Sequence, residues 1–243
     1  MKHSLFVADL HLGPERPQTT RIFEDFARRT APRAEALYIL GDLFEYWAGD
    51  DDLSDPHHAA VAHTLAELSR SGTAVFVMHG NRDFLIGQRF CRETGAQLIE
   101  DGTVTEIQGE RVLLLHGDVL CTDDVSYQRL RRIVRNPVVQ WIVRHLSLAR
   151  RRALAQKMRE GSRMHVKSTA AQIMDVNAEA VAKAFRESGV ATMIHGHTHR
   201  PAVHSLEVDG SRVQRIVLGD WHTQGSVLER SAAGFELRSL PRA

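Results

Sequence analysis

The sequence has few cysteines and no long hydrophobic run. Its 243 residues include two cysteines, Cys91 and Cys121. Two are too few for a disulfide framework, so we expect a reduced, cytosolic chain. No apolar run approaches the roughly 20 residues that cross a membrane, which limits any membrane contact to a peripheral one. Because a strand-like run follows Met1 almost directly, we also expect no signal peptide.

Linkers, internal repeats and low-complexity tracts are also absent. No stretch rich in proline, glycine or serine divides the chain. A chain of this length can bury one sizeable core. We therefore predict a single domain over residues 1–243.

The formal net charge is only +1, but it is unevenly distributed. From Arg129 to Lys167, twelve Lys and Arg residues accompany one acidic residue, Glu160, which gives a local charge near +11. Such a segment predicts an anionic partner, which could be nucleic acid, anionic lipid or a phosphorylated ligand. The alternative is that these charges form a solvated helical face.

Short apolar runs typical of buried strands alternate with helical patterns at 20–29, 57–71 and 177–188. This alternation predicts an α/β fold. The basic segment at about 126–175 is almost wholly helix-forming, and we interpret it as a helical insertion. The predicted strands are 4–8, 36–40, 74–78, 112–115, 190–194 and 213–218.

Possible metal ligands follow the first five of these strands. In α/β sheets, residues just past the strand ends converge on one rim, so these side chains are expected to form one site. Each motif alone is a weak indicator, because a single histidine after a strand is more often structural. The candidates are Asp9 and His11 (ADLHL), Asp42 (ILGD), Asn81 (HGN), His116 (LLLHGD), and His197 and His199 (HGHTH).

Seven donors are too many for one tetrahedral ion but suit two ions that share a carboxylate, for which Asp42 is the natural bridge. Imidazole, carboxylate and amide donors without a thiolate favour manganese, iron or zinc over magnesium. Two such ions roughly 3.5–4 Å apart can activate water and hold a phosphoryl group. The predicted chemistry is hydrolysis of a phosphoester or phosphoanhydride.

In order and spacing, the motifs D-x-H, GD, GN, H and GHTH resemble the calcineurin-like metallophosphoesterase superfamily over essentially the whole chain. The resemblance implies an αββα sandwich with a helical insertion. His195 matches no ligand position and is expected to pack or to support the ligands. By position, the first ion would be held by Asp9, His11, Asp42 and His199, and the second by Asp42, Asn81, His116 and His197.

Arg82 stands where most of that superfamily has a histidine thought to protonate a leaving alkoxide. Arginine cannot release a proton near neutral pH. An alkoxide leaving group is about as basic as hydroxide, whose conjugate acid has a pKa of about 15.7. When a pyrophosphate is cleaved, the leaving phosphate monoester has a conjugate acid with a pKa of about 6. Such a leaving group needs charge stabilisation, which arginine supplies. Arg82 therefore favours phosphoanhydride cleavage, unless it merely pairs with Asp83 at the surface.

Longer segments resemble the UDP-2,3-diacylglucosamine hydrolase family of lipid A biosynthesis. They are ADLHLG, ILGDLFEYWAGDD, HGNRDFLIG, LLHGDVLCTDD, IMDVN, IHGHTHRPAVH and LGDW. The resemblance implies two manganese ions and water attack on the α-phosphate of UDP-2,3-diacylglucosamine, giving UMP and 2,3-diacylglucosamine 1-phosphate. It implies a cytoplasmic enzyme, peripheral on the inner membrane, with no nucleic-acid partner, and we expect a monomer.

The same resemblance assigns site residues. Family members carry an asparagine four residues and a lysine seven residues after the substrate-binding serine, where this chain has Val166 and Thr169. Lys167 is the neighbouring candidate. The expected catalytic residues are Asp42, Asn81, Arg82 and His116, and the expected substrate contacts are Asn81, Arg82, Asp124, Ser162, Lys167 and His197.

The insertion carries apolar stretches at 138–143 and 146–148, flanked by arginines. This pattern suits a membrane surface or a cover over acyl chains, or else packing onto the core. Two other functions stay open from the sequence. One is another dinuclear phosphoesterase acting on nucleotides or phosphodiesters, and the other is a non-enzymatic module that binds anionic lipid or nucleic acid.

Overall fold

The structure, a computed structural model, describes residues 3–168, 173, 175–222 and 224–240, without the side chains of 163 and 165–168. Its eleven described strands form two sheets. The first sheet has the order β11-β10-β1-β2-β3-β4, and the second the order β5-β6-β7-β9-β8. The strands are β1 Ser4–Val7, β2 Ala36–Leu40, β3 Ala74–Met78, β4 Gln97–Ile99, β5 Thr103–Ile107, β6 Glu110–Leu115, β7 Thr192–His195, β8 Ala202–Val208, β9 Ser211–Val217, β10 Gly225–Ser231 and β11 Gly234–Leu240.

Four helices cover the outer faces of the two sheets. Helices α1–α3 pack on the first sheet through residues such as Phe23 and Leu65, while α7 packs on the second through Val181 and Phe185. Between the sheets, apolar side chains from both, such as Phe6, form a common core. These layers are an αββα sandwich. The helices are α1 Pro17–Arg29, α2 Pro56–Arg70, α3 Gln88–Thr94, α4 Val125–Val134, α5 Pro137–His145, α6 Leu148–Ser168 and α7 Ala178–Ser188.

The central strands of each sheet are parallel. In the first sheet β1, β2 and β3 run in the same direction, and in the second β6, β7 and β9 do so. Their carboxyl ends therefore deliver the following loops to common rims, as the α/β pattern predicts. Strands β1 and β2 are buried along their whole length, which explains their near-continuous apolar sequences.

All six strands predicted from the sequence are present, which confirms the α/β prediction. The strands β4, β5, β8, β10 and β11 were missed, as was α3. In β8, half-buried positions alternate with exposed ones, so it lacks the continuous apolar run that revealed the central strands. No helix in the described part of the chain is long and apolar enough to cross a membrane.

Helices α4–α6 contain the basic segment identified in the sequence. Arginines on these helices bind to groups of the core. Arg131 contacts the carboxylate of Asp118 at 2.8 Å, and Arg152 contacts that of Asp52 at 2.7 Å. Part of the local positive charge is thus satisfied within the protein. Further contacts with the core include those from Arg135 to Gly80 O, Arg151 to Ala48 O and Arg159 to Glu15.

Candidate metal centre and substrate cleft

The seven donors predicted from the sequence lie together in the loops that follow β1, β2, β3, β6 and β7. Asp42 is at the centre. Its Oδ2 lies 3.7 Å from His11 Nε2, and its Oδ1 lies 3.9 Å from His116 Nε2. The two oxygens of one carboxylate thus face two different sets of donors, an arrangement that suits a bridge between two cations.

The first set contains Asp9, His11 and His199. His11 Nε2 and His199 Nε2 are 3.4 Å apart, and His199 Nε2 lies 3.5 Å from Asp9 Oδ1. Asp220 lies on the far side of His199, with Oδ2 3.2 Å from Nδ1. This contact orients the ring so that Nε2 faces the other donors.

The second set contains Asn81, His116 and His197. Asn81 Oδ1 lies 3.1 Å from His116 Nε2 and 3.2 Å from His197 Nδ1. His116 Nδ1 lies 2.9 Å from the carbonyl of Leu40. A carbonyl only accepts, so Nδ1 carries a proton, and Nε2 is the ring nitrogen that faces the other donors.

The backbone that carries these donors is strained. Seven non-glycine residues have positive φ in the described part of the chain. Such conformations cost on the order of 1–3 kcal/mol each and concentrate at functional sites. Five of the seven are donors in this cluster: Asp9, His11, Asp42, His197 and His199.

Glycines in the GD, HGN and HGH motifs allow the loops to approach one another. A Cβ on Gly80 would lie 2.1 Å from Asp42 Oδ1, and one on Gly196 would lie 2.5 Å from Asp9 Oδ2. A Cβ on Gly41 would lie 2.4 Å from His116 Nδ1. The glycines in these motifs are therefore required by the close packing of the donor loops.

Carboxylates in the cluster favour positive charge on two of its four histidines, His116 and His199. Burial would lower the pKa of His116, but the carboxylates of Asp42, Asp118 and Asp9 raise it to about 9. Burial likewise acts to lower the pKa of His199, and hydrogen bonds to Asp220 and Asp9 raise it to about 10. Buried carboxylates thus hold cationic groups beside them, a role that metal ions can fill.

The donor set also fits metal ions because it contains a buried polar atom without a hydrogen-bond partner. That atom is Asp9 Oδ1. An unpaired buried carboxylate oxygen is costly unless a cation satisfies it. Two carboxylates, one amide and four imidazoles, with no thiolate, match the preferences of divalent first-row metals.

Arg82 lies beside the second set. Its backbone N donates to Asp42 Oδ1 at 2.8 Å, and its Nη2 lies 3.5 Å from Ser162 Oγ on α6. Its Nε is buried without a hydrogen-bond partner. Asp83 accepts backbone N–H groups of Gly80 at 2.8 Å and Leu43 at 2.7 Å, so it joins two donor loops.

A cleft of about 550 Å³ is lined by core residues, including Asn81 and Arg82, and by residues of the three insertion helices. Its walls are mostly apolar, and Ser162 lies in the same lining. Such a shape suits an elongated apolar ligand with an anionic head near Arg82. The apolar lining comes mainly from Trp47, Phe84, Leu130, Val139, Val143 and Leu154.

The remaining predicted residues have different surroundings. Asp124 caps α4, where its Oδ1 accepts from Tyr127 N at 3.0 Å. His195 is buried between its own loop and Arg215, whose Nη1 lies 3.0 Å from His195 Nε2. The side chains of Val166 and Lys167, and the whole of Thr169, lie outside the part of the chain that the structure describes.

Sequence reasoning missed residues that contact the donors but belong to no ligand motif. Asp118 is fully buried and accepts from Tyr127, whose ring centroid lies 5.8 Å from that of His197. His222 stacks on His11 with a centroid separation of 5.6 Å. The only available signals were the Asp in HGD and the LGDW segment just before His222.

Comparison with known families agrees with this architecture. The model of the calcineurin-like phosphoesterase family matches residues 3–201. A dimetal phosphatase from Danio rerio is similar in fold, with 14% identity, a TM-score of 0.50 and coverage of 99% of both chains. The chain belongs to the calcineurin-like phosphoesterases and is a dinuclear metal-dependent hydrolase.

Within that class, the similarity to one group is much stronger. A UDP-2,3-diacylglucosamine hydrolase from Pseudomonas paraeruginosa is 53% identical over 98% of both chains. One from Azotobacter vinelandii is 51% identical, again over 98% of both chains. The chain therefore belongs to the UDP-2,3-diacylglucosamine hydrolase family, as its long sequence segments predicted.

Proposed function

We propose that the protein hydrolyses the pyrophosphate bond of UDP-2,3-diacylglucosamine in lipid A biosynthesis. Water attacks the α-phosphate, giving UMP and 2,3-diacylglucosamine 1-phosphate. The observation that carries this proposal is the junction at Arg82 between the dinuclear donor cluster and the apolar cleft. The activity named for the relatives supports the same substrate.

Two Mn²⁺ ions are proposed to occupy the donor cluster, with iron or zinc as alternatives. When bound, such ions supply Lewis acidity, which activates water and neutralises phosphoryl charge. Asp42 faces both sets of donors and is assigned as the bridging ligand. The first ion is assigned to Asp9, His11, Asp42 and His199, and the second to Asp42, Asn81, His116 and His197.

Arg82 is assigned to the leaving sugar phosphate. The guanidinium lies at the mouth of the cleft, and its buried Nε has no protein partner, so it has donors available for a phosphate oxygen. Charge-assisted hydrogen bonds from arginine stabilise the charge that develops as the pyrophosphate breaks. Ser162, within reach of Arg82, is assigned to the sugar side of the substrate, as are Asp124 and Lys167 by family position.

The cleft beneath α4–α6 is assigned to the acyl chains. Its lining is apolar along most of its length, and burying each methylene of an acyl chain contributes about 0.8 kcal/mol. The catalytic residues Asn81 and Arg82 stand at the polar end of this cleft. A diacylated sugar phosphate would thus place its phosphate, and not its chains, beside the donor cluster.

The outer surface of the insertion supports a peripheral position on the cytoplasmic face of the inner membrane. Val138, Trp141 and Ile142 on α5 are at least half exposed, with Trp141 at 62%. The three insertion helices also carry exposed basic residues, and each adds about 1 kcal/mol of attraction near an anionic leaflet. The basic residues are Arg129, Arg132, Arg144, Arg150 and Lys157.

Hydrolysis of UDP-2,3-diacylglucosamine in oxygen-18 water with added manganese tests the function directly. Label in UMP, with no turnover after chelation, is the expected result. Label in the sugar phosphate would support the pyrophosphatase activity but would show that water attacks the phosphate on the sugar side and not the α-phosphate. Turnover of a simple phosphodiester without turnover of the acylated UDP-sugar would instead identify a phosphodiesterase. Salt-sensitive lipid binding without either activity would identify a binding module.

The ligand assignment has its own test. Asp42→Ala and His116→Ala are each expected to lose nearly all turnover and to bind fewer than two metal ions, while remaining folded by circular dichroism. Normal activity in either variant would refute the dinuclear assignment.

A further inference from the structure

His222 lies against the first set of donors, although no motif in the sequence marks it as a site residue. Its ring stacks on His11 at an interplanar angle of 7° and lies 5.5 Å from the ring of His199. Ring nitrogens of these three histidines lie within 4.8 Å of one another. The side chain is about one-third exposed, so a ligand can reach it.

Three converging imidazoles resemble a three-histidine metal site, but the contact with Arg16 argues against this interpretation. A guanidinium nitrogen of Arg16 contacts Nδ1 of His222. Arginine has donors and no acceptor, so Nδ1 must accept and the ring proton resides on Nε2. A protonated Nε2 cannot bind a cation, and it instead presents an N–H to the site.

That N–H is available for a ligand. Asp220 Oδ2 lies 3.8 Å from His222 Nε2, which is beyond hydrogen-bond distance, and the same oxygen is engaged with His199 at 3.2 Å. A single donor beside a cluster that holds phosphoryl groups suits a phosphate oxygen. Arg16 fixes the tautomer that makes this donor available.

The position of His222 indicates which part of the substrate it meets. Asn81 and Arg82, next to the second set of donors, line the apolar cleft, whereas His222 is not part of that lining and contacts the first set, which faces the other oxygen of Asp42. A pyrophosphate diester carries one substituent at each end. If the diacylated sugar occupies the cleft, the nucleotide extends toward His222.

We infer that His222 Nε2–H is a hydrogen-bond donor to the uridine monophosphate half of the substrate and that Arg16 is a positioning residue that acts through it. This inference rests on the proposed function, because that function defines the two ends of the substrate. It assigns the nucleotide subsite to the His11 side of the cluster.

Calorimetric titration of the manganese-loaded enzyme with UMP tests the assignment. His222→Phe keeps an aromatic ring but removes the donor, whereas His222→Gln keeps an N–H. Arg16→Leu removes the group that fixes the tautomer, and Arg16→Lys keeps a donor. We expect the Phe and Leu variants to bind UMP about tenfold or more weakly, and the Gln and Lys variants to stay within about threefold of the wild type.

Two further measurements distinguish this role from simple packing or metal binding. Metal analysis is expected to find two manganese ions per chain in all four variants, and binding of 2,3-diacylglucosamine 1-phosphate is expected to be unchanged. Arg21→Leu, an exposed arginine on α1, is the matched control and should bind UMP like the wild type.

Unchanged UMP affinity in His222→Phe would overturn the inference, and so would equal weakening of both products. Loss of one manganese ion in that variant would make His222 a metal ligand and also overturn it. Failure of the proposed function is distinguishable, because the wild-type enzyme would then not hydrolyse UDP-2,3-diacylglucosamine at all.

Discussion

Arg131 of the first insertion helix donates from Nε to Asp118 Oδ2 at 2.8 Å, and Asp118 is two residues beyond the metal-ligand candidate His116. The Nη2 of the same arginine donates to Asp101 at 3.1 Å. Asp101 in turn accepts the backbone N–H of His116 at 2.9 Å. The insertion that covers the cleft and the loop that carries a donor to the metal centre are thus held by one charged network.

Replacing Arg131 with methionine should destabilise the protein. Asp118 is fully buried, so removal of the guanidinium leaves a buried carboxylate without its cationic partner. Loss of one member of such a pair costs about 3–5 kcal/mol, and the partial exposure of Arg131 places the expected value near about 3 kcal/mol. Urea unfolding of the manganese-loaded enzyme measures this change.

Arg132→Met is the control for this prediction, because Arg132 is the neighbouring arginine on α4 and is exposed. Its free energy of unfolding should change by no more than about 0.5 kcal/mol. Equal unfolding midpoints for the two variants would show that the buried network contributes nothing to stability.

Gly80→Ala should impair metal binding without unfolding the protein. The added Cβ would lie 2.1 Å from Asp42 Oδ1 and 2.2 Å from Asp42 N, so the Asp42 carboxylate must move. Manganese content after dialysis is expected to fall below two ions per chain. Retention of both ions would mean that the donor loops are less tightly packed than the structure indicates.

Gly161→Ala on α6 gives the opposite expectation. A Cβ there meets no atom within 4 Å. Alanine in a helix is more stable than glycine by roughly 0.5–1 kcal/mol, so this variant should keep both ions and unfold at a higher urea concentration.

The location of the donor cluster could be predicted because each donor directly follows a buried apolar strand. Asp9, for example, comes two residues after the end of β1, and the sequence alone shows both the strand and the donor. The α/β fold determines that such strand ends meet. For these residues, the local sequence pattern and the observed fold therefore indicate the same position.

The surroundings of the cluster could not be predicted in this way. Arg16 and His222 are 206 positions apart in sequence, and neither belongs to a ligand motif. Their contact depends on the order of strands in the first sheet, which sets β10 beside β1. Likewise, the basic composition of the insertion did not show that Arg131 and Arg152 face carboxylates of the core.

The exposed apolar face of α5 should contribute to membrane binding. Val138→Asp combined with Trp141→Asp removes the two most exposed large apolar side chains of that helix, at 64% and 62% exposure, and adds negative charge. Burial of each such side chain contributes about 1.5–3 kcal/mol. We expect at least tenfold weaker binding to vesicles that contain anionic lipid, measured by cosedimentation.

Val203→Asp is the control for the membrane prediction, because Val203 lies on β8 and is 49% exposed. Its vesicle binding should match that of the wild type. If the α5 variant also binds vesicles normally, the apolar face of α5 does not contact lipid.

Replacing Arg82 with histidine should slow pyrophosphate cleavage while leaving the metal centre intact. Arg82 contacts Asp42 through its backbone N, a contact that does not depend on the side chain. Removing one group that stabilises transition-state charge costs about 10²–10³ in kcat, so a decrease of about a hundredfold is expected with unchanged manganese content. Arg129→His, at an exposed position of α4, should retain full kcat.

Because histidine can donate a proton, the Arg82 variant should lose less activity on an alkyl phosphodiester than on the acylated UDP-sugar. Wild-type kcat on the acylated UDP-sugar would show that the leaving sugar phosphate does not depend on the charge of Arg82.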